Sequence, residues 1–180
     1  MKKTILLLNL GLLFSSVLYS QDLVRPNKPN PNLDPNPGFI TINDFNAGFG
    51  LGITSTPYSK FFFGITSVNG YQINDMFMVG GGTGVLFYNE GTMIPLYLDM
   101  RFRFKINRLT PYASAAGGVL FNLEDFDKNT AFFVNPSAGV RYSLTDHFGL
   151  NAGVGLWMQI APELLRASFI NLRLGAVYKF

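Results

Sequence analysis

Three observations predict that the chain is all-β: an eight-stranded antiparallel up-and-down transmembrane β-barrel. The first is a mismatch between composition and run length. Of the 180 residues, 48% are hydrophobic and only 14% charged, yet beyond the N-terminal segment no apolar run is long enough for a membrane-spanning helix. The second is texture: from about Gly38 onward the sequence consists of short runs alternating with period two, separated by turn residues, which is the pattern of strands and hairpins. The third is that glycine repeatedly shares a strand face with arginine and asparagine, which decides which face is inside. The length suits one such domain.

The chain begins MKKTILLLNLGLLFSSVLYSQ, with two lysines, an apolar run from Ile5 to Phe14 and a small residue, Ser20, before Gln21. This reads as a secretory signal peptide, residues 1–20, because the apolar stretch is too short to span and a polar segment follows. Cleavage is expected after Ser20, with Leu18 an unusual residue at the minus-three position. The formal charge of +3 includes Lys2 and Lys3; without them 12 Lys and Arg face 11 Asp and Glu, a balance of +1, so no nucleic-acid footprint is present. With no cysteine, neither a lipoprotein anchor nor a disulfide can form. Residues 21–38 form a Pro/Asn-rich segment whose DLVRPNKPNPNLDPNPG, Asp22 to Gly38, holds five of the ten prolines. Proline removes backbone donors and favours extended polyproline II, so this is a periplasmic tether, either a plain spacer or a docking peptide for a periplasmic partner.

The barrel is expected over 39–180. Strands read as Ile40 to Ile53, Lys60 to Ile73, Met76 to Tyr88, Ile94 to Ile106, Thr110 to Asn122, Ala131 to Ser143, Phe148 to Ile160 and Ser168 to Phe180. Most reach the roughly 9 to 11 residues that a tilted strand needs to cross a bilayer. Asn74-Asp75, Asn107-Arg108-Leu109 and Thr145-Asp146-His147 form tight turns, and the other four links are slightly longer. An even strand count puts both termini beside the tight turns, which in outer-membrane barrels is the periplasmic side.

In the fourth strand Ile94, Leu96, Leu98, Met100, Phe102, Phe104 and Ile106 share one face, while Tyr97, Asp99, Arg101, Arg103 and Lys105 share the other. A soluble barrel would turn the apolar set inward, so alternation alone is ambiguous. In the eighth strand Asn171, Arg173, Gly175 and Lys179 oppose Ile170, Leu172, Leu174, Ala176, Tyr178 and Phe180. In the first, Asn46, Gly48, Gly50 and Gly52 oppose Phe45, Phe49, Leu51 and Ile53; in the seventh, Asn151, Gly153 and Gly155 oppose Leu150, Val154 and Leu156. Glycine beside long polar side chains makes room in a crowded lumen and would serve no purpose on a wetted exterior. Polar and small residues therefore point in and apolar residues point at hydrocarbon. Tyr71, Phe77, Phe104, Tyr142, Phe148, Tyr178 and Phe180 near the tight turns, and Phe61, Phe87, Phe121 and Phe132 at the opposite rim, form two aromatic girdles. The second strand breaks the pattern, since Ser67 and Asn69 fall on the lipid face, and a bulge is expected near Val68 to Gly70.

From Phe39 to Phe180 the chain resembles the eight-stranded outer-membrane β-barrel family, similar in plan to the transmembrane domain of outer membrane protein A and its small relatives. The most specific match is the C-terminal assembly signal of that class, filled here by Arg173, Gly175, Tyr178 and Phe180. The resemblance implies residence in the outer membrane of a Gram-negative cell envelope, contact with outer-membrane lipid, and recognition of the last strand by the barrel assembly machinery.

Candidate functional residues lie in the lumen. Asp99, Arg101, Arg103, Lys105, Arg141, Arg173 and Lys179 form a polar set biased to positive charge, either a network of salt bridges and hydrogen bonds with Asn151 and Asn171 or an anion site or path. Phe62, Leu86, Tyr88, Leu120, Phe133, Trp157 and Phe169 sit on inward parity near the far rim, where they either close the barrel by packing together or form an apolar pocket for an acyl chain. Small barrels of this plan include lipid A palmitoyltransferases and deacylases that use a histidine near the outer rim. Here the sole histidine, His147, falls in a tight turn on the opposite side and lacks a triad-like serine, so no enzymatic activity is expected. No metal or other cofactor is expected either. LEDFDKNT, Leu123 to Thr130, brings Glu124, Asp125 and Asp127 together without calcium-loop spacing and reads as a solvated charge cluster. Short outer loops limit adhesion. The expectation is a monomeric or weakly associating envelope barrel with a filled lumen, structural or accessory in role, with a partner in an envelope complex open. The alternatives are an amphiphile-binding barrel and, behind it, a narrow porin-like pore.

Overall fold

The structure, a computed structural model, describes residues 37–52, 58–104, 109–124, 130–160 and 166–180. The expected signal peptide, most of the tether, Ile53, Lys105, Ile106, Asn107, Arg108, Asp125 and Asp127 lie outside the described residues. Eight strands follow one another: β1 (Gly38–Gly50), β2 (Phe61–Gln72), β3 (Phe77–Tyr88), β4 (Gly91–Arg103), β5 (Leu109–Asn122), β6 (Ala131–Ser143), β7 (Phe148–Ile160) and β8 (Arg166–Lys179). Each pairs antiparallel with its sequence neighbour, and β1 pairs with β8 to close the barrel.

The register fixes the barrel's shape. Following directly paired residues from Arg103 through Tyr112, Gly139, Gly153, Arg173, Asn46, Gly64 and Leu86 returns to β4 at Met93, ten residues from the start. Ten residues at about 3.3 Å against eight spacings of about 4.8 Å tilt the strands roughly 40° from the axis. Strands of 12 to 14 residues then rise about 30 Å, the thickness of a bilayer's hydrocarbon core.

Two of the tight turns are held by side chains acting on the backbone. Asn74 Oδ1 accepts from the amides of Met76 (2.9 Å) and Phe77 (2.8 Å), and Thr145 Oγ1 from those of His147 (3.3 Å) and Phe148 (2.9 Å). Strand pairing lapses only beside the prolines of β4 and β6. The β3–β4 ladder skips Gly84–Val85 opposite Pro95, and the β6–β7 ladder skips Asn135–Pro136, with the same register resuming on either side.

The expected bulge in β2 is not there. The β1–β2 and β2–β3 registers run unbroken through Val68 and Gly70, Val68 is buried in the lumen, and Asn69 stays on the outer face. The pleat is kept because Thr41, directly opposite Asn69 on β1, donates its hydroxyl to Asn69 Oδ1 at 2.8 Å, so the two polar side chains satisfy each other locally.

Burial is inverted relative to a soluble protein. Leu98, Phe132 and Leu174 are 65%, 67% and 63% exposed, while Asp99, Arg101 and Asn171 are at most 1% exposed. An apolar exterior of this extent is unfavourable in water and is satisfied by lipid. The rings expected in the girdles lie on the outer face, and Phe39 joins them edge-on to Tyr71 at 5.2 Å.

Inside, glycines fit large side chains. A Cβ at Gly48 would collide with the ring of Phe62, and one at Gly82 with the ring of Tyr97. Tyr112 crosses towards β6 and β7, where a Cβ on Gly139 or Gly153 would lie 2.7 or 2.8 Å from its hydroxyl.

Candidate functional site

The site is the lumen, and its chemistry changes with height. At mid-depth Arg101 takes two carboxylates: its Nε donates to Asp99 Oδ1 at 3.0 Å, and its Nη2 to Asp44 Oδ2 at 2.9 Å and Asp99 Oδ2 at 3.1 Å. The guanidinium also lies over the ring of Tyr112, 5.7 Å from its centroid. All of these side chains are buried, so the two carboxylates offset a charge that would otherwise be costly to hold away from water. Asp99 and Arg101 come from neighbouring inward positions of β4, as the alternation predicts.

Asp44 was not foreseen. It lies on β1 at the same parity as Asn46 and is 57 residues from its partner. That parity was the signal available in the sequence.

Arg173 donates from Nη2 to Ser114 at 2.9 Å and, through a shorter bond, to Ser137. Arg141 Nε donates to Asn151 Oδ1 at 3.1 Å across the β6–β7 pair. Asn46 bridges Thr66 and Asn171 at 2.8 and 3.2 Å. Arg103 is buried too but makes no side-chain ion pair among the described residues. Lys179 is buried on inward parity.

The floor is less uniformly polar than the alternation suggested. Ile40, Ile42, Val68, Met78 and Val177 are buried on β1, β2, β3 and β8, so at this end Arg103 and Arg141 on β4 and β6, and Lys179 on β8, share the lumen with an apolar sector.

Above this lies an aromatic layer. Phe62 is surrounded by Tyr88, Trp157 and Phe169 with ring centroids 5.0, 5.1 and 5.2 Å away. Trp157 stacks on Phe133 at 4.1 Å and 9°, and Phe133 meets Tyr97 edge-on at 5.7 Å. Leu86 and Leu120 are fully buried in the same cluster. The residues expected at the upper lumen are thus brought together, within van der Waals range of one another. Tyr58, in the left-handed region at φ 61°, caps this layer: its hydroxyl accepts from Asn122 at 2.9 Å and its carbonyl from Gln159 at 3.2 Å, while Tyr88 donates to Gln159 at 3.0 Å.

The four assembly-signal positions divide by face. Arg173 and Gly175 point inward, and Tyr178 and Phe180 outward. Gly175 sits against β1 so closely that a Cβ would meet the Asn43 carbonyl and the Asp44 carboxylate, which gives the glycine a packing reason of its own. His147 is exposed at the tight-turn end, its Nδ1 3.0 Å from the Lys179 carbonyl, and among the described residues no carboxylate or side-chain hydroxyl is hydrogen-bonded to the ring.

No protein-family model matches the sequence, and no curated protein matches it significantly. Solved structures do. Neisserial surface protein A superposes with a TM-score of 0.64 at 16% identity, over 81% of this chain and 99% of that one. The outer membrane protein OprG of Pseudomonas aeruginosa gives 0.54 at 12% identity, over 79% and 96%. A de novo designed transmembrane β-barrel gives 0.51 at 15% identity, over 81% and 98%. The chain has the fold of the eight-stranded transmembrane β-barrels of outer membranes, built around an interior that is ionic at mid-depth and aromatic towards one rim.

Proposed function

We propose that the protein is an integral barrel of the outer membrane whose lumen is filled by its own side chains, with a structural or accessory role in the envelope and no catalytic activity. The observation that carries this reading is the aromatic layer, in which Phe62, Tyr88, Phe133, Trp157 and Phe169 take up one another's faces and edges at 4.1 to 5.9 Å. A lumen of eight strands is just wide enough for side chains, and rings in mutual contact leave an acyl chain no slot to enter. Residues 1–20 act as the export signal, the tether of residues 21–38 stays on the periplasmic side, and the last strand is read by the barrel assembly machinery through Arg173, Gly175, Tyr178 and Phe180. The outer wall is solvated by outer-membrane lipid, and the barrel works as a monomer or in loose association with an envelope partner.

Two measurements on the full chain test the reading. In planar bilayers the folded protein is expected to give no discrete current steps; reproducible steps would mean a pore. Native mass spectrometry of protein extracted gently from its own membrane, beside protein refolded in detergent, is expected to show no lipid-sized adduct in either. A stoichiometric lipid-sized adduct confined to the extracted sample would replace this reading with the amphiphile-binding one.

A further inference from the structure

Among the described residues four buried arginines face the lumen, Arg101, Arg103, Arg141 and Arg173, against two buried carboxylates, Asp44 and Asp99. Both carboxylates are engaged by Arg101. Arginine does not lose its proton in proteins, so an unmatched guanidinium cannot become neutral. An uncompensated charge held away from water is strongly unfavourable.

The imbalance is sharpest at the tight-turn end. Arg103 and Arg141 flank β5, Arg103 opposite Tyr112 and Arg141 opposite Thr110, two residues apart on that strand. Two strand spacings separate their Cα atoms by roughly 10 Å, a gap that two arginine side chains can close from either side. Neither has a carboxylate within ion-pair distance among the described residues, and Asp75, in the exposed β2–β3 turn, acts on Arg103 only from farther away. The positive charges of Arg101 and Arg103 both bear on Arg141, offset in part by the Asp44 carboxylate.

Among the described residues, the buried donors here without a partner include Arg103 Nη2, the hydroxyls of Tyr112 and Ser143, and Nδ2 of Asn151, whose Oδ1 is already taken by Arg141 Nε at 3.1 Å. The rest of the wall at this end carries buried Ile40, Met78 and Val177 beside the neutral side chains of Gln72, Thr110 and Ser143, which supply hydrogen-bonding groups but no counter-charge.

We propose that the tight-turn end of the lumen binds one small inorganic oxyanion, of phosphate or sulfate size, between the guanidinium groups of Arg103 and Arg141 with the Asn151 amide as a third donor. Planar guanidinium forks match tetrahedral oxyanions with paired, charge-assisted hydrogen bonds. The occupant is a free anion and not a lipid headgroup, because the eight ladders form a closed wall between the lumen and the surrounding acyl chains. This goes beyond the filled-barrel reading and is tested separately from it.

The test is thermal unfolding of the full chain, refolded in a phosphate-free sugar detergent, with inorganic phosphate titrated against sodium gluconate at constant ionic strength. A ligand that binds only the folded state raises Tm, by roughly 2 to 5 °C at ten times its dissociation constant. Arg103→Gln and Arg141→Gln should each abolish the rise, and Lys60→Gln, at an exposed position, should keep it. Calorimetric titration of wild-type protein with phosphate should show one site per chain, which keeps the test valid if a variant fails to fold. No phosphate-dependent rise in the wild type, the same rise in both arginine variants, or no calorimetric site overturns the proposal. So does a rise that is present in detergent and vanishes in phospholipid bilayers, since the headgroup would then be the occupant.

Discussion

Replacing Trp157 by alanine separates a lumen held shut by packing from one built to receive a ligand. The ring is 3% exposed, stacked on Phe133 at 4.1 Å and tilted against Phe62 at 5.1 Å. Truncating a buried Trp or Phe to Ala costs about 3 to 5 kcal/mol, and each lost aromatic pair adds roughly 0.5 to 1.5 kcal/mol beyond buried area. The void cannot collapse easily, because the surrounding wall is a hydrogen-bonded cylinder, so the upper part of that range, about 4 to 5 kcal/mol, is expected. Trp157→Phe, which keeps one ring face against Phe133, should lose only about 1 to 2 kcal/mol. Denaturant unfolding in lipid vesicles, followed by the gel mobility of unheated samples, gives the numbers; tryptophan emission cannot, since Trp157 is the sole tryptophan. A loss below about 1 kcal/mol with the fold retained would refute the packing argument. If a co-extracted lipid vanished in the same variant, the ring would be a binding surface.

Other perturbations address the remaining layers. Asp44→Ala leaves Arg101 with Asp99 alone and should destabilise the barrel by about 3 kcal/mol, the low end for breaking a buried pair; a cycle with Asp99→Ala should be non-additive, and strict additivity would mean the two carboxylates do not share one cation. Gly175→Val drives a side chain into the Asn43 carbonyl and the Asp44 carboxylate, so a yield of folded barrel near zero is expected, and wild-type folding would rule out the close β8–β1 approach. Asn43→Leu removes an exposed carboxamide from the outer wall, and unfolding in vesicles should show about 1 kcal/mol of added stability; a loss instead would indicate that Asn43 meets a polar partner in the membrane.

Where the sequence was easy to read, a single physical preference acted over a whole strand. In β4 the run from Leu96 to Arg103 alternates without a break, and the pleat turns that directly into two faces. Glycine resolved the sense of those faces, and Gly48 against Phe62 and Gly139 against Tyr112 show the mechanism at atomic scale. The misreadings came where a local rule met a non-local partner. Ser67 and Asn69 suggested a bulge, but Thr41 satisfies Asn69 across the strand pair, and nothing in β2 alone reveals that. Asp44 stands between Asn43 and Phe45 in β1 with nothing local to single it out, and its importance comes from Arg101, which reaches it across the lumen and not through the β-ladder. The apolar sector formed by Ile40, Ile42 and Val177 was hidden for a related reason: on β1 and β8 both parities carry hydrophobic residues at that end, so alternation fades where lumen and lipid both accept them.

The seam between β1 and β8 has a kinetic consequence. Its register joins Gly50 to Phe169 and Ile40 to Lys179, 119 and 139 residues apart along the chain. Contacts of such separation bring the largest loop-closure penalty and the slowest search. Until they form, β1 and β8 each present a row of unpaired amides and carbonyls, which hydrocarbon tolerates far less than water does. A half-inserted sheet therefore has no stable resting place in the bilayer, so penetration of the membrane and closure of the ring should proceed together. Variants that weaken the seam should accumulate as uninserted chains and not as open barrels.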